Sequence, residues 1–529
     1  MKTILTALVG LVGAILSAPA TEFQVSIGGN DGNAGTPAAP FRTIQHAADV
    51  ARPGDVITVH AGVYRERINP PRGGTSDKER ITYQAAPGEQ VAIKGSEMVT
   101  NWVQVRDDVW KVILPNSGFG SFNPYTDLIH GDWFSAKGRN HHTGAVYLKG
   151  EWLTEAAKLA EVLEPIGSNA LWFAEVDATN TVILAQFKDV NPNEQLVEIN
   201  VRQTVFYPAQ TGINYLTVRG FTLEHAATPW APPTAEQIGL IGTHWSKGWI
   251  IESNVIRYAT CSGVALGKYG DAWDNKSQSA DAYNRTIERA LTNGWNHATV
   301  GSHLVRNNDI SHCEQCGIVG SLGAAFSTIT GNTIHDIHTR MLFAGAEQAG
   351  IKFHGAVDVE ISRNHIYHTT RGIWLDWMGQ GTRITGNFLH DNAADKINWQ
   401  QHWEDLRAGG EQDLFVEVNH GPFLVDNNIF LSAYSVNNRS EGGAYVHNLF
   451  AGAFRVVPDD ARQTPFLQPH ATEIAGLHHH QSGDDRYYNN LFVTPADLSG
   501  YRDAKLPVWM AGNVFLGGPN LPRRKRIRS

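Results

Sequence analysis

The sequence predicts an all-β protein, a parallel β-helix (solenoid) interrupted by an inserted β-rich domain. Three observations predict it. An asparagine recurs after short β-branched runs through the later part of the chain. Apolar and polar residues alternate inside those runs, as they do in a strand with two unlike faces. The rhythm stops between about Tyr83 and Arg202, where short strands and turns such as QVAIKGSE and TNTVILAQF replace it.

The recurrent asparagines are Asn254, Asn308, Asn332, Asn364, Asn387, Asn428, Asn448 and Asn490. Asn332 to Asn364 is 32 residues, Asn364 to Asn387 is 23 and Asn428 to Asn448 is 20. The 41 residues from Asn387 to Asn428 read as 23 plus an insertion of 18. One solenoid coil per repeat fits such spacing. Asparagine tolerates the left-handed backbone, which is the role expected of it at each corner. A sandwich or propeller is the competing all-β reading, but it calls for hairpin turns.

The amino terminus, MKTILTALVGLVGAILSAPATEF, has one early lysine, an apolar run and a small-residue close. It reads as a secretory signal peptide over residues 1–20, cleaved near Ala18 or Ala20, so a secreted protein is expected. No later stretch is long and apolar enough to span a bilayer. Residues 21–83 then form the first part of the solenoid. They include a short amphipathic helix over 42–52 that caps the core, a Gly-Asp turn and a strand. Residues 84–203 are the inserted domain, and 204–529 are the main solenoid.

The chain has 529 residues, is 18% charged and carries a net charge of −9, which gives a nucleic-acid partner no electrostatic support. The basic end Arg523–Arg528 reads as a solvated tail. Three cysteines are too few for a disulfide scaffold. Cys261 and Cys316 are expected to touch on adjacent coils, leaving Cys313 free. Asn275, Asn284 and Asn438 open glycosylation sequons. The triplet His478–His480 is read as a polar loop, and no metal is expected. The number of subunits is left open.

The stretch RGIWLDWMGQG places Asp376 inside an apolar run. Alternation puts Ile373 and Leu375 inward, Trp374 and Asp376 outward; in DLFVEVNHGP, Val416 and Val418 face in, Phe415 and Glu417 out. Asp376 lies eleven residues before Asn387, and Glu417 eleven before Asn428. Both carboxylates therefore share one column on successive coils, about 4.8 Å apart. Ser321, His354 and Asn437 are expected in the same column, with Lys352, Trp374 and Phe415 in a parallel stripe. Carboxyl groups about 5–5.5 Å apart suit a retaining glycosidase. Outward charges are ordinarily just solvated, but stacked like charges repel unless something requires them.

Several longer strings carry a family resemblance: SDKERITYQAAPGEQVAIKGSE, FNPYTDLIHGDWF, EINVRQTVFYPAQTGINYLTVRGF, HAATPWAPPTAEQIGLIG, GIWLDWMGQGTR and FVEVNHGPFLVDNN. Together they resemble the β-xylosidases of glycoside hydrolase family 120, from about Phe23 to about Val514. The resemblance implies a right-handed parallel β-helix interrupted by a β-sandwich. It also implies a pocket that removes terminal xylose, with Asp376 as nucleophile and Glu417 as acid/base. Glu347 matches a family His-Glu pair, with Ala346 in place of the histidine. His225, Trp230, Lys352, His354, Trp374 and His420 are candidate sugar contacts.

The expected function is a retaining, exo-acting glycosidase on xylooligosaccharides or related pentosides. Asp376 is ionised, and Glu417 is kept protonated by its neighbour's charge. No cofactor is needed. A pectin-active β-helix enzyme or lyase would instead need calcium and a basic proton acceptor, with Lys352 in reach. A non-catalytic carbohydrate-binding solenoid would bind without turnover. The insertion near 395–412, with Trp399 and Trp403, is expected to rim the pocket.

Overall fold

The computed structural model describes residues 20–164, 167, 169–392, 412–458, 460–520 and 527–528. The signal-peptide segment, the 395–412 insertion up to 411 and most of the basic end lie outside the described residues.

Three parallel sheets of 14, 12 and 10 strands make the solenoid. Each full coil gives one strand to each sheet. Thr328–Thr330, Thr333–Ile337 and Ala349–His354 form one coil; Glu360–Ser362, His365–Thr369 and Arg371–Asp376 form the next. Inward residues stack like on like: Ile329 on Ile361, Ile334 on Ile366, Ile351 on Ile373. All six are fully buried, and each contributes roughly 1.5–3 kcal/mol of transfer free energy. At the start of the third strand, Gly317, Gly350 and Gly372 stack because a Cβ on each would lie 2.5–2.8 Å from the next coil's carbonyl oxygen.

The asparagines form one continuous ladder. Each accepts from the backbone N–H and side-chain amide of the preceding rung's asparagine at 2.9–3.1 Å, from Asn254 to Asn513. Their expected role needs correction. The left-handed residue is the one before: Ser253, Asn307, Gly331, Arg363, Gly386, Asn427, His447, Asn489 and Gly512 all have φ between 54° and 67°. The ladder asparagine is selected because its amide donates two hydrogen bonds and accepts two in a buried corner, as Asn364 does, and a hydroxyl has only one hydrogen to give.

The capping helix is Ile44–Val50, with the Thr43 hydroxyl accepting from His46 N at 3.2 Å. Ile44, Ala47 and Ala48 close the core against Val25 and Ile57. The insertion begins later than expected: Val91–Lys94 still pairs within the solenoid, between Gly62–Tyr64 and Thr222–Ala226. The chain departs at Gly95–Ser96, because residues 84–94 complete a coil. Four- and five-stranded sheets then enclose a core that includes Trp102, Tyr125, Trp172 and Ile199, the predicted sandwich.

Three smaller expectations also change. Val418 has φ 47° and leaves the solenoid core to pack with Tyr283 and Trp377, since its strand ends at Glu417. Cys316 pairs with Ser262, not Cys261, and the two cysteines sit in different apolar clusters. Their distances from the corner asparagine differ by one residue, enough to separate two side chains. All three thiols are free and buried. Asn438 is also fully buried, donating to Asp485 at 3.2 Å, so its sequon is inaccessible.

Candidate active site

The site lies on the outward side of the ten-stranded sheet. Ser321, His354, Asp376 and Glu417 are successive partners across Cys316–Ser321, Ala349–His354, Arg371–Asp376 and Gln412–Glu417. Asp376 and Glu417 are thus opposite each other on adjacent rungs. Lys352, Trp374 and Phe415 form the neighbouring column. Asn437 does not extend the carboxylate column: Glu417 pairs with Arg439, and Asn437 with Phe415. The segment from Arg439 to Asn448 is two residues shorter than that from Glu417 to Asn428, so counting back from the corner overshoots there.

The outward face is covered rather than solvated. Trp133–Ser135 of the insertion reaches it, with Phe134–Ser135 pairing antiparallel to Ala344–Gly345. Tyr283 comes from the helix Ala280–Thr292, capped by Ser279, and a further wall brings Arg462. Together they leave a cavity of about 460 Å³, onto which Glu347, His354, Trp374, Asp376 and Glu417 open.

Asp376 is 6% exposed. Its Oδ2 accepts from Lys352 Nζ at 2.7 Å and lies 3.1 Å from His354 Nε2, while Oδ1 has no hydrogen-bond partner. Burial raises its proton affinity, but Lys352 and His354 outweigh this and hold the carboxyl well below the usual range. Lys352 Nζ also lies 3.2 Å from the centre of the Trp374 ring, so this lysine sits behind the cavity wall. Trp374 stacks on Phe415 at 5.0 Å.

Glu347 is pushed the other way. Burial raises its pKa, and Asp376 and Glu417 add to that against Lys352 and His354. Its Oε2 lies 3.6 Å from Lys352 Nζ and makes no hydrogen bond. Glu417 Oε1 accepts from Arg462 Nη2 at 2.6 Å, and Arg462 is anchored by Asp460 Oδ2 at 2.8 Å. The expected influence of Asp376's charge on Glu417 therefore needs correction. Lys352 already compensates that charge, and the ion in contact with Glu417 is Arg462.

Three of the expected sugar contacts lie elsewhere. His225 is fully buried at the root of the insertion, 2.9 Å from Ser96 Oγ and 3.0 Å from the Gly150 carbonyl, stacked on Tyr147. Trp230 backs the cavity wall, donating to the Asp132 carbonyl at 2.9 Å and packing on Phe134 and Phe343. His420 is bonded to Glu441 and Thr464. All three stand in strings that carry the family resemblance, and in each the side chain is held by structural partners away from the cavity opening. Sequence reasoning missed Arg462 and Tyr283. Neither stands in the repeat, and no spacing signal could have found them. Trp377, also on the cavity, was legible beside Asp376.

Residues 99–199 match the family model "Glycoside hydrolase 120, insertion domain", and 272–450 match "Right handed beta helix region". Residues 27–70 match a family described as a protein of unknown function, DUF1565. Among solved structures, one described as the complex of XylC with xylose is 41% identical, with a TM-score of 0.88 over 96% of this chain and 85% of that one. YwoF of Bacillus subtilis (strain 168), described as uncharacterized, is 39% identical over 77 residues. That stretch is 15% of this chain and only 16% of YwoF. Fold, cavity and likenesses define a glycoside hydrolase built on a right-handed parallel β-helix. The chain belongs to glycoside hydrolase family 120.

Proposed function

We propose that this enzyme removes terminal xylose from xylooligosaccharides, or the sugar from related pentosides, with retention of anomeric configuration. The observation that carries the reading is the pairing of Asp376 with Glu417 across adjacent rungs of one cavity. Rungs are about 4.8 Å apart, too close to seat the water that inversion requires between carboxyls about 6.5–9.5 Å apart. Asp376 Oδ1 attacks the anomeric carbon while Glu417 protonates the leaving oxygen. Arg462 occupies Glu417 Oε1, which leaves Oε2 for the proton transfer. Glu417 then takes a proton from water, which cleaves the glycosyl ester.

The choice of xylose rests on the likeness to the structure with bound xylose. Walls from the insertion and the Tyr283 helix favour chain ends over mid-chain binding. Asp376 Oδ1, Glu347 Oε2 and Trp374 Nε1, none of them hydrogen-bonded, all belong to cavity-lining residues and suit a hydroxyl-rich guest. A lyase would need Lys352 as base, yet that ammonium is committed to Asp376.

Proton NMR of the first product from xylobiose tests the proposal. The β-anomer should appear first, and Asp376→Ala should abolish turnover. The inverted anomer appearing first would overturn the stacked-carboxylate mechanism.

A further inference from the structure

Away from the cavity, three ligand-type side chains converge where the hairpin of Gln463–Leu467 and Ile474–His479 meets the solenoid. Glu441 Oε1 lies 2.8 Å from His420 Nδ1 and 2.9 Å from His478 Nε2. The His420 and His478 rings are 3.9 Å apart between centroids, at 72°. The three atoms come from distant parts of the chain: a solenoid corner, the next coil and the hairpin.

The surroundings favour a cation over a plain hydrogen-bond cluster. His420 Nε2 faces the Thr464 carbonyl at 3.1 Å and the Thr464 hydroxyl at 2.7 Å. That hydroxyl has one hydrogen, and the Val418 carbonyl takes it at 3.1 Å. Nε2 therefore donates outward, and Nδ1 is the ring nitrogen aimed at the carboxylate. A metal-bound imidazole shows this arrangement, its outer N–H donated to a carbonyl or hydroxyl. Glu441 is fixed in the same way, Oε2 accepting from Gln481 N at 2.6 Å.

We propose that His420, Glu441 and His478 bind a divalent transition-metal ion, zinc by chemistry, with an open fourth position. Two imidazoles and a carboxylate are a zinc donor set. Metal–ligand bonds of about 2.0–2.2 Å at tetrahedral angles separate ligand atoms by about 3.3 Å. The present contacts widen to that by a few tenths of an ångström, which the partly exposed His478 ring can supply. His420 and Glu441 side chains, 3% and 6% exposed, stay in place. The ion ties the hairpin to the solenoid, and Arg462, the cavity residue, directly precedes that hairpin. The triplet His478–His480, expected in a polar loop, instead starts in the strand Ile474–His479 and supplies one ligand, His478.

The test uses untagged full-length protein loaded with zinc sulfate and dialysed free of excess. Metal analysis should find one zinc per chain, released by dipicolinate with a fall in melting temperature. Glu441→Gln and His478→Ala should each retain less than about a tenth of an equivalent. His479→Ala, an exposed neighbour, should retain it all. Should either ligand variant misfold, His478→Cys offers a second check, since thiolate also ligates zinc and should restore retention. Zinc absent from the wild type, or retained equally by Glu441→Gln, would overturn the proposal and leave the three side chains as a hydrogen-bond cluster.

Discussion

Lys352 and Asp376 stand on adjacent rungs two residues out of register, yet Nζ reaches Oδ2 at 2.7 Å across the face of Trp374. The column next to the carboxylates thus supplies the counter-charge of Asp376. Asp376 can stay ionised while buried because its cation is buried with it.

Lys352→Met removes that compensation. A buried carboxylate stripped of its partner costs about 3–5 kcal/mol unless it takes up a proton. Asp376 is depressed in the folded enzyme. Its stabilising contribution is therefore present above the ordinary carboxyl pKa and lost as pH falls through the lower folded value. In Lys352→Met the acidic limb of kcat/KM should move upward toward neutral pH, with kcat/KM at pH 7 down by about 10²–10³. An unmoved acidic limb would mean that Lys352 does not set the charge state of Asp376.

Glu417→Ala should separate substrates by leaving group. Xylobiose, whose departing oxygen needs a proton, should lose about 10²–10⁴ in kcat. A dinitrophenyl xyloside needs no such proton, so ester formation should be much less affected. Added azide should accelerate turnover of that substrate by attacking the ester, giving a β-xylosyl azide. Equal losses on both substrates would remove Glu417 from the acid role. Arg462 keeps Asp460 as its partner, so the variant should fold.

The repeat was legible because its asparagines meet a fixed geometric demand. Asn364 must pair with Asn332 and Asn387 wherever coils stack, and the intervening coil can vary in length. The Asp376–Glu417 register was legible for the same reason, since both strands run to their corners in equal steps. Arg439 broke the count because a two-residue shortening keeps parity while moving the partner. Arg462 and Tyr283 were not legible because walls around a solenoid come from segments outside the repeat. The three histidine-cluster ligands were invisible as a set: His420, Glu441 and His478 share no spacing, and only the folded hairpin brings them together.

The ladder makes a stability prediction. Asn364→Ala leaves Asn332 N and Nδ2 without their acceptor and the Ile329 carbonyl without its donor. Each orphaned buried group costs about 1–3 kcal/mol. Losses above about 3 kcal/mol are expected in urea unfolding, against less than about 0.5 kcal/mol for a substitution at an exposed surface position. A loss below about 1 kcal/mol would show that neighbouring rungs re-pair around the gap.

Asp485 makes the last prediction. It is fully buried beneath the later coils, where Oδ1 accepts from Gly443 N at 2.8 Å and Oδ2 from the Tyr501 hydroxyl at 2.5 Å. Burial outweighs those donors and pushes its pKa up to about 7. The unfolded chain titrates near the ordinary value of about 3.9, so between these values the folded state binds the extra proton. Stability from this group is full below about pH 4 and is lost as pH rises toward 7, by up to about 4 kcal/mol at 1.36 kcal/mol per unit. Asp485→Asn cannot ionise; its amide oxygen still accepts from Gly443 N and its NH2 can donate to Tyr501, at the loss of the longer contact from Asn438. Urea midpoints compared at about pH 5 and pH 8 should therefore differ less in Asp485→Asn than in the wild type, and the variant should be the more stable of the two at the higher pH. If both proteins lose stability equally over that range, another buried group governs the slope, and the shift assigned to Asp485 is wrong.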